Sequence, residues 1–148
     1  MKKKDYIIIG SLFVVALIAF VWITFFNQSS GSIANVYVDD FVVASIDFSD
    51  DSYKLFNQDD QYPEVVVDTI TKLEFKILGK YQVGEDFDVV VIEVDFVNNQ
   101  IRIKSDGTPK QIGVNRGWYN GQGLPVISLP NQVIILFETE TDDVDGVV

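Results

Sequence analysis

The sequence contains no cysteine and no histidine among its 148 residues. The chain therefore cannot form a disulfide, a thiolate nucleophile or an imidazole general base, and it lacks the usual ligands of zinc. A Ser-His-Asp hydrolase is excluded, and so is a lipoprotein anchor on cysteine. The lack of disulfides does not argue against export, because they are permitted outside the cell rather than required there.

Basic residues are scarce once the first 26 positions are set aside. Residues 27–148 carry 21 acidic and 8 basic side chains, a net charge of −13. Such a surface repels nucleic acid and anionic lipid, so we expect neither as a partner. About 120 residues rich in Val, Ile and Phe are nevertheless long enough to bury a core without cross-links.

Charge is absent altogether from residues 7–26, IIIGSLFVVALIAFVWITFF. Twenty helical residues rise about 30 Å, the thickness of a bilayer core. Three lysines precede this run at positions 2–4, and no basic residue follows until Lys54. The positive-inside rule then predicts a single-pass anchor in the cell membrane, with a cytoplasmic N-terminus and an extracellular C-terminal domain. The competing interpretation is a cleaved signal peptide with its site in 29–32, although the apolar region of such peptides is usually about 7–15 residues.

The rest of the chain alternates apolar and polar residues in short runs, as half-buried strands do. Turn signals separate the runs at Asp39-Asp40, Asn98-Asn99 and Pro130-Asn131, and a longer turn region is expected at 79–85. No helical periodicity follows the anchor, so we predict an all-β fold, a small barrel or sandwich. The predicted strands are 34–38, 41–48, 52–56, 64–70, 72–78, 87–96, 100–104, 124–129 and 132–137. The predicted organisation is a basic cytoplasmic N-terminus (1–6), a transmembrane helix (7–26), a linker (27–33), an extracytoplasmic β-domain (34–138) and an acidic disordered tail (139–148).

Aromatic residues and glycines are concentrated in Gly-Trp-Tyr-Asn-Gly-x-Gly at 117–123. The glycines allow tight bends around a large side chain. Trp118 and Tyr119 could then form an exposed platform for a ligand or partner, and the alternative is a core tryptophan held by a tight loop. Arg116 beside them either marks an anionic contact or pairs with a carboxylate, the safer expectation in an acidic domain. The candidate binding residues are Arg116, Trp118 and Tyr119.

Aspartates recur in pairs at 39–40, 50–51, 59–60 and 142–143. Asp47, Asp50 and Asp51 come closest to a calcium loop, without the glycine and the final glutamate of an EF-hand. Because Asp is a common turn residue, we interpret these pairs as solvated turns and predict no metal site. Two carboxylates also suffice for glycoside hydrolysis, but a domain this small rarely holds a sugar cleft, so we predict no enzyme.

The order of residues from position 101 onward has a recognisable pattern, formed by Val114, Gly117-Trp118, Gly123 and the turn Ser128-Leu129-Pro130-Asn131. This pattern resembles the NusG domain II-like family, small bacterial proteins with an N-terminal membrane segment and one exported β-domain. The resemblance covers the anchor, residues 34–48 and about 88–138, whereas 50–85 does not fit the common pattern. Positions that are cysteine in the family are Thr108, Gly113 and Ser128 here. Any redox or disulfide role of those cysteines is therefore excluded in this chain.

The resemblance implies a supporting role in a membrane complex linked to a transporter or to flavin-based extracellular electron transfer. It implies no role in transcription, since a shared fold does not fix function. We therefore expect a non-enzymatic accessory protein that binds a membrane or envelope protein and carries no cofactor. The alternatives are a small-ligand or calcium-binding module and a structural subunit whose anchors pack together. The anchor lacks a GxxxG pattern, which gives the last alternative little support.

Overall fold

The computed structural model describes residues 2–26 and 31–138 and begins with a single long helix. This helix, α1 (Lys3–Phe26), has 24 residues and therefore a length of about 36 Å. Its segment Lys3–Thr24 has a mean hydropathy of 2.7 and is exposed on every side. One helix is thus long and apolar enough to cross a membrane.

The rest of the described chain forms two antiparallel sheets, which confirms the predicted all-β fold. A five-stranded sheet has the order β3-β2-β1-β9-β8, and a four-stranded sheet has the order β4-β5-β6-β7. The strands are β1 (Ile33–Val38), β2 (Phe41–Asp47), β3 (Ser52–Leu55), β4 (Glu64–Asp68), β5 (Lys72–Val83), β6 (Asp86–Asp95), β7 (Gln100–Ser105), β8 (Val126–Ser128) and β9 (Val133–Glu138). A short helix, α2 (Ile112–Asn115), follows β7 and was not predicted, because four residues are too few to show a helical period.

The hydrophobic core lies where the inward faces of the two sheets meet. Alternate residues of β5 and β7, among them Phe75 and Ile101, are fully buried, as is Ile92 on β6. Each such side chain removed from water contributes about 1.5–3 kcal/mol. The predicted alternation therefore identified the core face of these strands correctly.

Two of the predicted turns have the geometry that their residues suggest. Asp39 and Asp40 both have positive φ, at 49° and 66°, as the tight turn of a two-residue hairpin requires. Residues 129–132 form the turn between β8 and β9, where the hairpin around Pro130-Asn131 was predicted.

The predicted turn region at 79–85 is too long. Strand β5 continues through Gly79 to Val83, and only Gly84 and Glu85 form the turn. Gly79 stands in the strand because the side chain of Asn131 occupies the space where its Cβ would lie. The glycine therefore permits a close approach between the two sheets rather than a turn.

The sandwich has two ends, named here after one residue at each. At the Ser32 end, the amide of Phe48 donates to the Ser32 carbonyl (2.8 Å) and the amide of Phe96 donates to the Thr71 carbonyl (3.0 Å). At the Asn131 end, the amide of Lys80 donates to the Asn131 carbonyl (3.1 Å). Residues 27–30 of the predicted linker and the predicted tail, 139–148, lie outside the described residues.

Candidate functional site

A small cavity of about 250 Å³ opens on the side of the Asn131 end, between the loop after β7 and the turn before β9. Its walls combine prolines and an isoleucine with two small polar residues and the stem of one lysine. The residues that line it are Thr108, Pro109, Lys110, Ile112, Ser128 and Pro130. Its surface is mainly apolar, so it suits an apolar group rather than a charged one.

A buried carboxylate, Asp106, joins the two walls of this cavity. One of its oxygens accepts the amide and the hydroxyl of Thr108, at 3.1 and 2.6 Å, and the other accepts the Ser128 hydroxyl at 3.1 Å. All three residues are buried. Both hydroxyls that line the cavity therefore serve to hold its walls together.

A second buried pair, Asn131 and Asp88, connects the cavity to the four-stranded sheet. The Asn131 amide nitrogen donates to Asp88 at 2.8 Å, and its amide oxygen accepts the backbone N–H of Tyr81 at 3.2 Å. The same Asp88 oxygen accepts the backbone N–H of Gly107 at 2.8 Å. Since buried polar groups that are fully bonded rigidify their surroundings, the cavity is held in shape before anything binds.

Exposed apolar side chains lie beside the cavity and elsewhere at the same end of the sandwich. Leu129 is 77% exposed and Ile112 is 63% exposed, and Ile127 on β8 is partly exposed. Phe41, which follows the Asp39-Asp40 turn, and Phe87 on β6 add exposed rings at the same end of the sandwich. An apolar pocket with exposed apolar groups beside it is typical of a surface that binds another molecule.

Tyr119, one of the three residues predicted to bind, lies in the core. Its backbone exchanges hydrogen bonds of 2.8 and 2.9 Å with Ile101, and its ring stands edge-on to Phe137 at 5.3 Å. Burial raises the pKa of the Tyr119 hydroxyl, and the nearby Arg116 guanidinium partly offsets this. Tyr119, rather than Trp118, is thus the aromatic residue that the glycine loop buries.

Trp118 is half-buried on the outer surface and faces away from the cavity described above. The guanidinium of Arg102 lies 4.5 Å from the centre of its ring, a cation–π contact. Arg102 in turn pairs with Glu93 at 2.6 Å, and Lys72 pairs with the other Glu93 oxygen at 2.6 Å. Burial by itself would raise the pKa of Glu93, but the hydrogen bonds from Lys72 and Arg102 hold it below its usual range.

Arg116 is exposed and donates to the backbone carbonyl of Leu124 at 3.0 Å. Its guanidinium lies 5.3 Å from the Tyr119 ring. Arg116, which was expected to pair with a carboxylate, thus braces the glycine loop instead, and the arginine that pairs with a carboxylate is Arg102. The three residues that were predicted together have three different environments, and none of them lines the cavity at the Asn131 end.

The aspartates at 47, 50 and 51 do not converge on a point. Asp47 accepts the amide and hydroxyl of Ser49, at 2.9 and 2.6 Å, and Asp50 bonds Ser52 in the same way. These bonds lower the pKa of Asp47. Within residues 2–26 and 31–138 no group of three or more carboxylates is arranged to hold a metal ion. The interpretation of the described pairs as turns is confirmed for Asp39-Asp40 and for Asp50.

The sequence analysis singled out three positions at or beside the cavity wall but did not indicate that they lie close together. Thr108, Gly113 and Ser128, the three positions noted for the absence of cysteine, come together here. Thr108 and Ser128 share Asp106, and a Cβ on Gly113 would lie 3.2 Å from the Ser128 Cβ. The sequence signal that could have located the site is a proline near a small polar residue on both walls, Thr108-Pro109 and Ser128 with Pro130.

Comparison with known families gives one match that spans most of the chain. The sequence model of the family described as NusG domain II matches residues 8–141. The matched range includes 50–85, the segment that the residue-by-residue resemblance did not cover. No curated protein matches the chain.

Two solved structures are similar in shape at low sequence identity. One is the crystal structure of the Lin0431 protein from Listeria innocua, with 22% identity, 73% of this chain and 95% of that chain covered, and a TM-score of 0.49. The other is a DUF1312 family protein from Enterococcus faecalis V583, with 23% identity, 73% and 97% coverage, and a TM-score of 0.46.

Proposed function

Since this chain belongs to the NusG domain II family, we propose that it is a membrane-anchored accessory protein that acts by binding another protein and not by catalysis. The family match confirms the resemblance drawn from Gly117-Trp118 and the 128–131 turn. Because a family fold does not by itself fix a function, the proposal depends on the surface of this chain.

The observation that carries the proposal is the preformed apolar cavity with Leu129 and Ile112 exposed beside it. Exposing such side chains to water is unfavourable, and contiguous apolar patches typically mark protein contacts. The network of Asp106, Asp88 and Asn131 holds this patch rigid, so little conformational freedom is lost when a partner binds.

The proposed location follows from α1 and its flanking charges. Lysines at 2–4 and the apolar helix favour a cytoplasmic N-terminus, with the β-domain on the extracellular side of the cell membrane. The net charge of −13 on residues 27–148 disfavours nucleic acid as the partner.

The proposed partner is a membrane or envelope protein. The family resemblance supports a complex linked to a transporter or to flavin-based extracellular electron transfer, in which this chain needs no cofactor of its own. A partner with an apolar projection and a basic rim would complement the apolar cavity and the acidic domain around it.

The apolar lining of the cavity also supports a second candidate, a small apolar ligand. At about 250 Å³ the cavity is slightly smaller than typical ligand pockets, which begin at about 300 Å³, so only a small molecule would fit. A ligand that binds only the folded state would raise the melting temperature of the protein. If a small apolar compound raises the melting temperature of the purified protein with no other protein present, this candidate is favoured over protein docking.

The test compares what the tagged full-length protein captures from native membranes with what a cavity variant captures. Ile112→Asp with Leu129→Asp places two charges on the apolar patch and should abolish capture of the specific partner. The matched control is Val66→Asp on β4, an exposed site on the far edge of the four-stranded sheet. Capture that is equal for all three proteins would overturn the proposal.

A further inference from the structure

Two apolar side chains project into solvent from loops at the Ser32 end. Ile70, in the loop between β4 and β5, is 91% exposed, and Val97, in the turn between β6 and β7, is 69% exposed. Ile70 is the most exposed large apolar side chain in the described part of the chain. Neither residue belongs to the apolar patch of Ile112 and Leu129 at the Asn131 end.

Contacts within the domain place the two loop tips, at Ile70 and Val97, beside the start of β1. The Phe96 amide donates to the Thr71 carbonyl, so the two loops are adjacent. The Phe96 ring meets the Phe48 ring at 5.9 Å, and the Phe48 amide donates to the Ser32 carbonyl. Both tips are thus carried at the end of the domain where the chain arrives from α1.

The connection from α1 is short. Seven Cα–Cα steps separate Phe26 from Ile33, and a fully extended chain of that length spans about 25 Å. If α1 spans a bilayer, as the proposed function holds, the Ser32 end stays within that distance of the helix end. So short a tether also gives the loop tips a high effective concentration at the bilayer surface, where a weak contact is sufficient.

The side chains around the tips suit a membrane interface. Trp118 lines an open cavity together with Val97 and Lys72, and tryptophan is enriched at headgroup level because its ring is amphipathic. The nearby carboxylates are engaged within the protein, since Asp68 accepts the Tyr53 hydroxyl at 2.7 Å and Asp95 accepts the Val97 amide at 2.9 Å. Their negative charge favours a neutral or zwitterionic lipid surface over an anionic one.

We propose that the Ser32 end rests on the bilayer that holds α1, with Ile70 and Val97 inserted among the lipid headgroups. This inference rests on the proposed function, because it needs α1 as the anchor. Its consequence is orientation: the apolar cavity at the Asn131 end then points away from the membrane, where a partner can reach it.

The proposal can be tested by site-specific fluorescent labelling. Because the chain has no cysteine, a single introduced cysteine carries the only label. Full-length Thr71→Cys, labelled with an environment-sensitive fluorophore, is reconstituted in phosphatidylcholine vesicles that contain spin-labelled lipid. Thr71 neighbours Ile70 and is exposed, so the reporter leaves the tip intact. We expect blue-shifted and quenched emission from Thr71→Cys, loss of both effects when Ile70→Asp and Val97→Asp are added, and neither effect from Leu129→Cys.

A label at Val15→Cys in α1 distinguishes the proposed membrane anchor from the proposed lipid contact of the Ser32 end. Quenching at Val15 with none at Thr71 would overturn the lipid contact and leave the anchor standing. No quenching at Val15 would overturn the anchor and the lipid contact together. A photocrosslinker at Ile70 that captures protein rather than lipid in native membranes would also overturn the lipid contact, in favour of a protein one.

Discussion

The Ser32 end and the Asn131 end of the sandwich are closed by different kinds of contact. At the Ser32 end the ring of Phe48 stacks on Phe137 at 5.5 Å and meets Phe96 edge-on. At the Asn131 end the corresponding contacts are hydrogen bonds among buried side chains, with Asn131 and Asp88 at the centre.

This difference suggests that the Ser32 end mainly stabilises the fold, whereas the Asn131 end fixes the geometry of a binding surface. The hydrophobic burial of rings is non-directional and stabilises the fold wherever rings can be removed from water. A buried hydrogen-bond network contributes less net stability but fixes geometry, which a preformed binding cavity needs. The end that is held by polar contacts is therefore the end that presents a preformed cavity to the proposed partner.

The largest effect should come from removing an aromatic ring at the Ser32 end. Phe48→Ala deletes a buried ring with two aromatic neighbours and should lower the free energy of unfolding by about 3–5 kcal/mol. Urea unfolding of the full-length protein in detergent micelles, followed by near-UV circular dichroism, measures this. The exposed Phe41→Ala is the control and should change stability little. Equal effects of the two variants would contradict the proposed role of the aromatic cluster.

The next largest effect should come from Asn131→Ala at the other end. This change removes one partner of the buried Asp88 carboxylate and the acceptor of the Tyr81 amide, and should cost about 2–4 kcal/mol. Asn120→Ala, whose side chain accepts one exposed amide, is the matched control. Hydrogen exchange should show faster opening around 79–81 in Asn131→Ala and no change there in Asn120→Ala. Unchanged exchange in both would mean that Asn131 does not join the sheets.

Gly79→Ala should be destabilising by about 1–3 kcal/mol, because the new Cβ overlaps the Asn131 side chain. A double-mutant cycle tests this cause. When Asn131 is already alanine, Gly79→Ala should cost much less, since the two nearest overlapping atoms, Oδ1 and Cγ, are gone and only the Cβ contact at 2.9 Å remains. Additive effects of the two changes would show that the glycine serves another purpose.

The smallest effect concerns pH and the ion pairs on the outer face of the four-stranded sheet. Because Lys72 and Arg102 lower the pKa of Glu93 in the folded state, the pairs add stability above the unfolded pKa. That stability is lost as the pH falls through the lowered folded pKa. Glu93→Gln should therefore cost about 1 kcal/mol at neutral pH and should flatten the loss of stability in acid. Glu64→Gln, from the exposed pair with Lys76, is the control and should change the free energy of unfolding little.

The sequence predicted the fold well where the cause is local. Asp39-Asp40 and Pro130-Asn131 are turns because of their own backbone preferences, and Phe75 and Ile101 are buried by simple alternation. Gly79 was misassigned because its reason is tertiary: the residue that needs the space, Asn131, lies 52 positions away.

The candidate site was predicted less well for the same reason. Trp118 and Tyr119 lie in a loop without periodicity, so the sequence does not show which of the two rings is buried. Asp88 and Asn131 are 43 positions apart, and no local pattern links them. Thr108 and Ser128 were singled out only by what the family carries there, and Asp106, which binds both, was not.

The most direct test of the central claim, that the two ends serve different contacts, places one photocrosslinking side chain in the full-length protein in native membranes. The probe stands at Leu129 in one protein and at Ile70 in the other. We predict a specific protein adduct from Leu129, lost with Ile112→Asp, and lipid adducts from Ile70. A protein adduct from Ile70 with none from Leu129 would contradict the claim.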